Sequence, residues 1–347
     1  MNGRERVLRA LTRKEPDVVP VFEWSIDTKV VRSLTGSSDV FDAVEILDLD
    51  GIVVRPDYLR TSISEDEHID EWGSRRKTTT ESISIPIANP ITDIAEYRAY
   101  TFPDPEASHR FLSLERAVGR FGGRKAVILN LRDVFSDVRD ILGYENALVA
   151  LITQRKQFEG LLDRCIEYNR TLAEIAYKKF DIDIVVTTDD IADNRGLIFS
   201  PKIFHELFGP KFREVVAGFK RLGYYCIKHC DGNISDIIGY LIDAGIDCID
   251  PVDPTAGMEI GWVKERYGSR VCIKGNVNCN TTLVSGSPQE VEEEVHDCIR
   301  KAAAGGGYIL SSSNSIHSGV NPVNFKIMVE ATRRFGRYSP SIGEQPG

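Results

Sequence analysis

The chain has 347 residues, 42% hydrophobic and 27% charged, an ordinary soluble composition with room for one large domain or two small ones. A formal net charge of -9 leaves no basic footprint, which argues against a nucleic-acid partner. No apolar run is long enough to span a membrane, Met1-Asn2-Gly3-Arg4-Glu5-Arg6 lacks the apolar core of a signal peptide, and seven scattered cysteines with no Cys-x-x-Cys pair point to a reducing cytoplasm.

A short helix is predicted over residues 4–11. Strand, polar loop and helix then alternate along the chain. Val18-Val19-Pro20-Val21-Phe22 is apolar and β-branched and ends at Glu23-Trp24. Gly51-Ile52-Val53-Val54 ends at Arg55-Pro56-Asp57-Tyr58. After this second strand the rhythm breaks. Glu71-Trp72-Gly73 through Ser82-Ile83-Ser84-Ile85-Pro86-Ile87 alternates apolar with polar and predicts a β-hairpin insertion, closed by Pro103-Asp104-Pro105. Ala126-Val127-Ile128-Leu129 ends at Asn130-Leu131-Arg132-Asp133. Ile182-Asp183-Ile184-Val185-Val186 ends at Thr187-Thr188-Asp189-Asp190. The segment from Tyr225 to Lys228 ends at His229. Cys248-Ile249 ends at Asp250-Pro251-Val252-Asp253, Val271-Cys272-Ile273 at Lys274-Gly275-Asn276, and Tyr308-Ile309-Leu310 at Ser311-Ser312-Ser313-Asn314.

Helices fill the gaps. Ser200-Pro201 opens one running to about residue 222, and Ser287-Pro288-Gln289-Glu290 opens another, each with proline at a tolerated first-turn position. Shorter ones are predicted over 235–244 and 258–267, with Gly223, Gly245 and Gly268 as left-handed caps. Eight short, nearly continuous apolar runs are the pattern of parallel strands buried on both faces. With right-handed crossovers they most simply close into an α/β fold, a (β/α)8 TIM barrel. A doubly wound open sheet is the alternative, weakened by the lack of Gly-x-Gly-x-x-Gly in the first βα turn. Residues 1–347 read as a single domain, with 339–347 as a frayed tail. Gly305-Gly306-Gly307 lies on the wrong face for a phosphate loop and reads as a tight turn.

Active sites of such barrels lie at the C-terminal ends of the strands. The tips here crowd Glu23, Asp57, Asp189, Asp190, Asp231, Asp250 and Asp253 against Arg55, Arg132, Lys228 and Lys274. An acidic mouth favours a metal ion, a cation or a protonated carboxylic acid and disfavours a polyanion. Of the histidines, His68, His109 and His296 read as surface and His205 as structural, which leaves His229 and His317 at strand ends. His229 and Asp231 sit two apart and point the same way in extended backbone, whereas Cys226 and Cys230 face the other side. Cys279 lies in a loop that can swing to the mouth, so His229, Asp231 and Cys279 form a candidate metal set. An inert buried thiol is the other reading of each cysteine.

The chain resembles the uroporphyrinogen decarboxylase superfamily, in its corrinoid-dependent methyltransferase branch. The resemblance rests on Arg4-Glu5-Arg6-Val7-Leu8 with Pro16-Asp17-Val18-Val19-Pro20, on Asp70-Glu71-Trp72-Gly73, and on Asp189-Asp190 with Arg195-Gly196-Leu197 and Ser200-Pro201. It continues in His229-Cys230-Asp231-Gly232, Gly275-Asn276-Val277 and Gly306-Gly307-Tyr308-Ile309-Leu310. The resemblance implies a (β/α)8 barrel. True uroporphyrinogen decarboxylases place arginines just after the first strand to hold carboxylates. Here that stretch is Phe22-Glu23-Trp24-Ser25-Ile26-Asp27, which has none. The methyl-coenzyme M enzymes of the branch hold zinc with His-x-Cys and a later Cys. Here His229 matches, Asp231 replaces the first Cys, and Asn314 falls near the later one.

What the resemblance implies is a methyltransferase moving a methyl group between a small methylated compound, such as an aryl methyl ether or methylamine, and the cobalt of a corrinoid protein. His229 and Asp231 would be proton donor or metal ligands, with zinc as the metal. Glu23, Asn130, Asp189, Asp190, Asn276, Asn314 and His317 would bind substrate, with Trp24 and Tyr58 as apolar walls. The cobalamin-carrying signature Asp-x-His-x-x-Gly is missing; Asp66-Glu67-His68-Ile69-Asp70-Glu71 is the nearest approach. The corrinoid is therefore expected on a separate partner. A cofactor-independent decarboxylase of a small carboxylate is the second reading.

Overall fold

The structure, a computed structural model, describes residues 1–79 and 84–338. Seven parallel strands follow one another around a curled sheet: β1 (Gly51–Val54), β2 (Ala126–Leu131), β3 (Ile184–Thr188), β4 (Tyr225–His229), β5 (Cys248–Asp250), β6 (Cys272–Lys274) and β7 (Tyr308–Ile309). The order is sequential, as right-handed strand–helix–strand units require. The predicted first strand closes the ring as an extended segment. Leu310 N–H donates to Pro20 O at 2.9 Å and Asp50 N–H to Val21 O at 2.8 Å, with Val21 and Leu310 bridged in parallel.

The first strand lacks a regular ladder for two local reasons. Pro20 has no N–H to give. The Val21 N–H is taken at 2.8 Å by the Asp50 side chain, where a neighbouring carbonyl would serve in a full strand. Asp50 is buried and also pairs with Arg6 at 3.2 Å and Arg333 at 2.8 Å. One carboxylate thus ties the seam to the first and last helices, Gly3–Leu11 and Pro322–Phe335.

Alternation sorts the strand side chains. Phe22, Ile128, Ile184, Val186, Ile227, Cys248, Cys272 and Ile309 fill the lumen, and Val7, Ala10 and Leu11 of the N-terminal helix plug its lower end. Cys226 and Cys230 lie in the outer core with the helices. With the bottom plugged, polar groups can gather only at the top, where the strands end.

The helix punctuation is largely local. Ser200 accepts from Ile203 N–H, and Ser287 forms a reciprocal capping box with Glu290. The helix after Ser200 runs through a π turn, Phe204–Phe208, before continuing as Gly209–Arg221. Pro210 cannot donate back to Glu206, which accounts for the wider turn. Gly223 and Gly245 have φ of 90° and 106°, but Gly268 sits at φ -63° as an ordinary helical end and is no left-handed cap. Gly305, Gly306 and Gly307 make the tight turn, with φ of 77°, 77° and 67°. A Cβ on Gly306 would lie 2.5 Å from the Lys14 backbone.

The insertion after β1 is larger than a hairpin. Arg60–Ser62, Glu67–Asp70, Arg75–Lys77 and Ile85–Ala88 form a four-stranded antiparallel sheet. Its first strand is short, polar and exposed, so hydrophobic alternation does not reveal it. His68 is buried within this sheet rather than on the surface, because it faces inward while the next residue, Ile69, faces out. Part of the expected hairpin, residues 80–83, and the expected tail, 339–347, lie outside the described residues. Among the described residues no helix is long and apolar enough to cross a membrane. All seven cysteines are free and buried.

Asp50→Ala would strand the Val21 N–H and remove the buried partner of two arginines. We expect a loss of roughly 3–5 kcal/mol in equilibrium denaturation. An unchanged midpoint would show that the seam does not depend on this carboxylate.

Candidate active site at the strand tips

Three neighbouring strands set the upper rim of the lumen. His229 ends β4, Asp250 ends β5 in register with it, and Lys274 ends β6. Asp250 accepts from Lys274 Nζ at 2.7 Å and meets His229 Nδ1 at 2.8 Å, all three buried. Burial alone would raise the Asp250 pKa, but the charges of Lys274 and His229 hold it at about 2. An ionised carboxylate only accepts, so His229 Nδ1 carries the proton and Nε2 is left free. Trp24 stacks on the imidazole at 4.7 Å and 10°, which fixes the ring plane.

Nε2 of His229 lies 3.6 Å from Asp231 Oδ1. That oxygen is buried without a hydrogen-bond partner, while Oδ2 accepts from Asn314 Nδ2 at 2.7 Å. Burial pushes the Asp231 carboxyl up to about 6. His229 opposes the rise, and Asp190, Asp250 and Asp253 add to it. Asp190 completes the group, its Oδ1 accepting from the Asp231 backbone N–H at 3.4 Å. Donor atoms of Asp190, His229 and Asp231 lie within 4.8 Å of one another, the set among the described residues that can hold a metal ion. One imidazole nitrogen, an unpaired carboxylate oxygen and a second carboxylate suit a divalent ion such as zinc. Cys279 is not in this group. It is buried, takes a hydrogen bond from Ser313 Oγ at 3.3 Å, and burial raises its thiol pKa.

The other candidates divide. Trp24 Nε1–H donates to Thr188 Oγ1 at 3.2 Å, and that hydroxyl donates to Asn130 Oδ1 at 2.8 Å, so Asn130 reaches the imidazole's wall through two hydrogen bonds. Glu23 accepts from Ser312 N–H at 2.9 Å and Ser312 Oγ at 2.6 Å. Burial pushes its carboxyl up to about 7 against the pull of Lys274 and Ser312. Asp189 turns away from the mouth. It accepts from the backbone N–H groups of Val134 and Phe135 and from Ser136 Oγ, holding the start of the helix Ser136–Leu142. Asn276 is tied back to Val252 O at 2.6 Å. His317 has both ring nitrogens engaged, one by Cys279 O of the loop after β6 and one by Gly319 N–H of its own loop. Tyr58 belongs to an aromatic cluster with Trp72, Phe102 and Tyr168.

Residues 77–335 match the uroporphyrinogen decarboxylase (URO-D) family. The chain belongs to the uroporphyrinogen decarboxylase family. It is 24% identical over 184 residues to a uroporphyrinogen decarboxylase of Neisseria meningitidis serogroup C, covering 51% of this chain and 49% of that one. It is 25% identical over 167 residues to the uroporphyrinogen decarboxylase of Saccharophagus degradans, covering 45% and 44%. It thus spans about half the length of the curated relatives it matches. In structure it is similar to a methyltransferase from Methanosarcina mazei, with a TM-score of 0.78 and 18% identity, covering 96% of this chain and 99% of that one. At that identity the likeness concerns the fold.

Within this family frame, sequence reasoning placed Asp250, Lys274 and Ser312 among the polar tips but gave them no role. Strand parity was the available signal: Asp250 and Lys274 stand in register or one strand over from His229 on the lumen side. Asp250→Ala would leave Lys274 buried without a partner. It should cost roughly 3–5 kcal/mol in equilibrium denaturation, and a loss under 1 kcal/mol would contradict the buried pair. Glu23 titrates higher when folded than its ordinary 4.5. From about pH 4.5 to 7 the folded form therefore holds a proton that the unfolded chain has lost, and stability falls as pH rises through that window. Glu23→Gln should flatten this slope in denaturation midpoints measured across it.

Proposed function

We propose that the protein is a methyltransferase that moves a methyl group between a small methylated compound, such as an aryl methyl ether or methylamine, and the cobalt of a corrinoid carried by a separate protein. The observation that carries this reading is the unpaired Asp231 oxygen 3.6 Å from His229 Nε2. The fold shared with the Methanosarcina methyltransferase supports it. The corrinoid is the cargo of that partner. His68, in the nearest approach to a cobalamin-carrying motif, is buried within a strand of the insertion.

In the demethylating direction the methyl carbon passes to cobalt(I), and the electron pair of the broken C–O or C–N bond stays on the leaving atom. That atom then needs a proton or a Lewis acid. Asp231, held up to about 6, can present a proton there, and His229 is the neighbouring relay whose tautomer Asp250 fixes. A divalent ion on Asp190, His229 and Asp231 would supply Lewis acidity to the same atom when bound. Trp24 walls the site on the imidazole side. A reducing cytoplasm would suit both this chemistry and the seven free thiols.

The test mixes the protein, a cob(I)alamin-loaded corrinoid protein and a panel of methyl ethers and methylamines, and follows the cobalt spectrum. Methylation of the corrinoid is expected for at least one compound. Asp231→Asn and His229→Ala should each lower the rate by about 10²–10⁴, the range of a lost acid–base group. Zinc analysis of the purified protein and of His229→Ala separates the metal-assisted from the metal-free version. Carbon dioxide release from a small carboxylate without any corrinoid, with no transfer from the panel, would move the assignment to the decarboxylase reading.

A further inference from the structure

Most acids of the mouth expected from the strand tips are engaged by other groups in the folded protein. Asp57 accepts from Ser113 N–H at 2.8 Å and Ser113 Oγ at 2.6 Å. Asp189 holds a helix start, and Asp250 is paired with Lys274 and His229. Asp253 takes the Gly232 and Thr255 N–H groups. That leaves Asp190 and Asp231 as the acidic pole, with Glu23 bound to Ser312.

The cations sort differently. Lys228 is buried against Asp133 at 2.6 Å on the outer side of β4, and Lys274 is held by Asp250. Arg132 donates to Thr188 O at 3.2 Å and lies 3.7 Å from Asp140. Arg55, the first residue past β1, has no ion-pair or hydrogen-bond partner among the described residues. Its guanidinium lies over the Trp24 ring, 4.4 Å from the centroid. This is the indole that stacks on His229. Solvent reaches Arg55, yet burial lowers its pKa to about 10, and Arg132 adds to the fall with no acid opposing it. Arg55 is exposed at the strand tips, beside the face of Trp24. Held over the indole with no acceptor among the described residues, its N–H groups are available to an arriving anion.

We propose that Arg55 anchors a carboxylate of the substrate, seated on the same indole that walls the His229 centre, so that the methylated compound is a small carboxylate rather than a neutral molecule. The proposal rests on the methyltransferase reading only for the word methylated. It narrows the substrate to a molecule with two ends. One end bears the methyl-carrying oxygen or nitrogen near Asp190 and Asp231. The other bears a negative charge one indole away. The planar guanidinium stacked on an aromatic face is the geometry that takes a carboxylate with two parallel N–H bonds. The stretch after the first strand, 22–27, contains no arginine, so this cation comes from a different strand tip.

The test is equilibrium binding without any corrinoid, using matched probes that differ only in charge: 4-methoxybenzoate against 4-methoxybenzamide, and methoxyacetate against methoxyacetamide. At least one acid should bind, with its amide about 10- to 100-fold weaker, the scale of a lost hydrogen bond to a charged group. Arg55→Gln should abolish the preference by weakening the acid alone, and Arg55→Lys should keep part of it. Because Arg55 has no buried partner to strand, the thermal midpoint of both variants should match the parent. Acid and amide binding alike, a preference that survives in Arg55→Gln, or no saturable binding of either acid would overturn the subsite. Arg55-dependent binding with no methyl transfer would overturn the transferase reading and leave the subsite standing.

Discussion

A barrel plugged at one end has a lumen that excludes water, so the charges at its upper rim must settle among themselves. Asp250 is where this happens. Its two oxygens face Lys274 and His229 at 2.7 and 2.8 Å, and among the described residues neither partner has another acid so close. In a low-dielectric setting such pairing is obligatory rather than a bonus, because the Lys274 ammonium alone would be strongly disfavoured and the imidazole N–H would lack an acceptor. The same contact fixes chemistry. Holding Nδ1–H toward the lumen turns Nε2 outward, so a rule about buried charge becomes a rule about which nitrogen meets a ligand.

Strand β4 carries two such settlements on opposite faces. Lys228 points outward to Asp133 and to Asp189 O, and His229, one residue on, points inward. Asp189 is held low despite its burial by Asp133, Lys228 and the donors of the Ser136–Leu142 helix, whereas Asp133 is raised to about 7 by burial. These two networks never mix, because the sheet lies between them. Adjacent acids can therefore have opposite fates. Asp189 anchors a helix and Asp190 turns to the His229 group, though nothing in the dipeptide distinguishes them.

That contrast marks how far the sequence could be read. Strand rhythm, the Ser200 and Ser287 caps, the glycine turn before β7 and the inward pairing of His229 with Asp231 follow from local periodicity and backbone chemistry. The irregular first strand does not, since its partner on one side is the Asp50 side chain. Nor does the insertion's first strand, whose three residues are all polar and exposed. Asn276 and His317 bear the right functional groups at the right strand ends, yet both are consumed by backbone partners, chiefly in the neighbouring strand-end loops. The acid-rich character of the mouth failed for the same reason: counting charges ignores which of them cap helices. Composition fixes how many charges a rim contains, and only the register of strands and the arrival points of helices fix how many remain free.

What remains free has a distinct hardness. Where the thiol-methylating relatives of this resemblance would set sulfur ligands, this chain sets Asp231 with Asn314 donating to one of its oxygens at 2.7 Å. The amide holds one oxygen and leaves the other exposed to the His229 nitrogen, so the carboxyl keeps a defined, single open site. Oxygen donors favour harder ions than thiolates do, and a carboxyl near pH 6 exchanges protons where a zinc-bound thiolate does not. Both properties serve a leaving oxygen or nitrogen, which needs a proton or a hard Lewis acid as its bond to carbon breaks. A sulfur leaving group, already stable as an anion, would gain little from either. Under the methyltransferase reading proposed above, oxygen rather than sulfur at this position favours ether or amine substrates by the basicity of the atom that must be discharged.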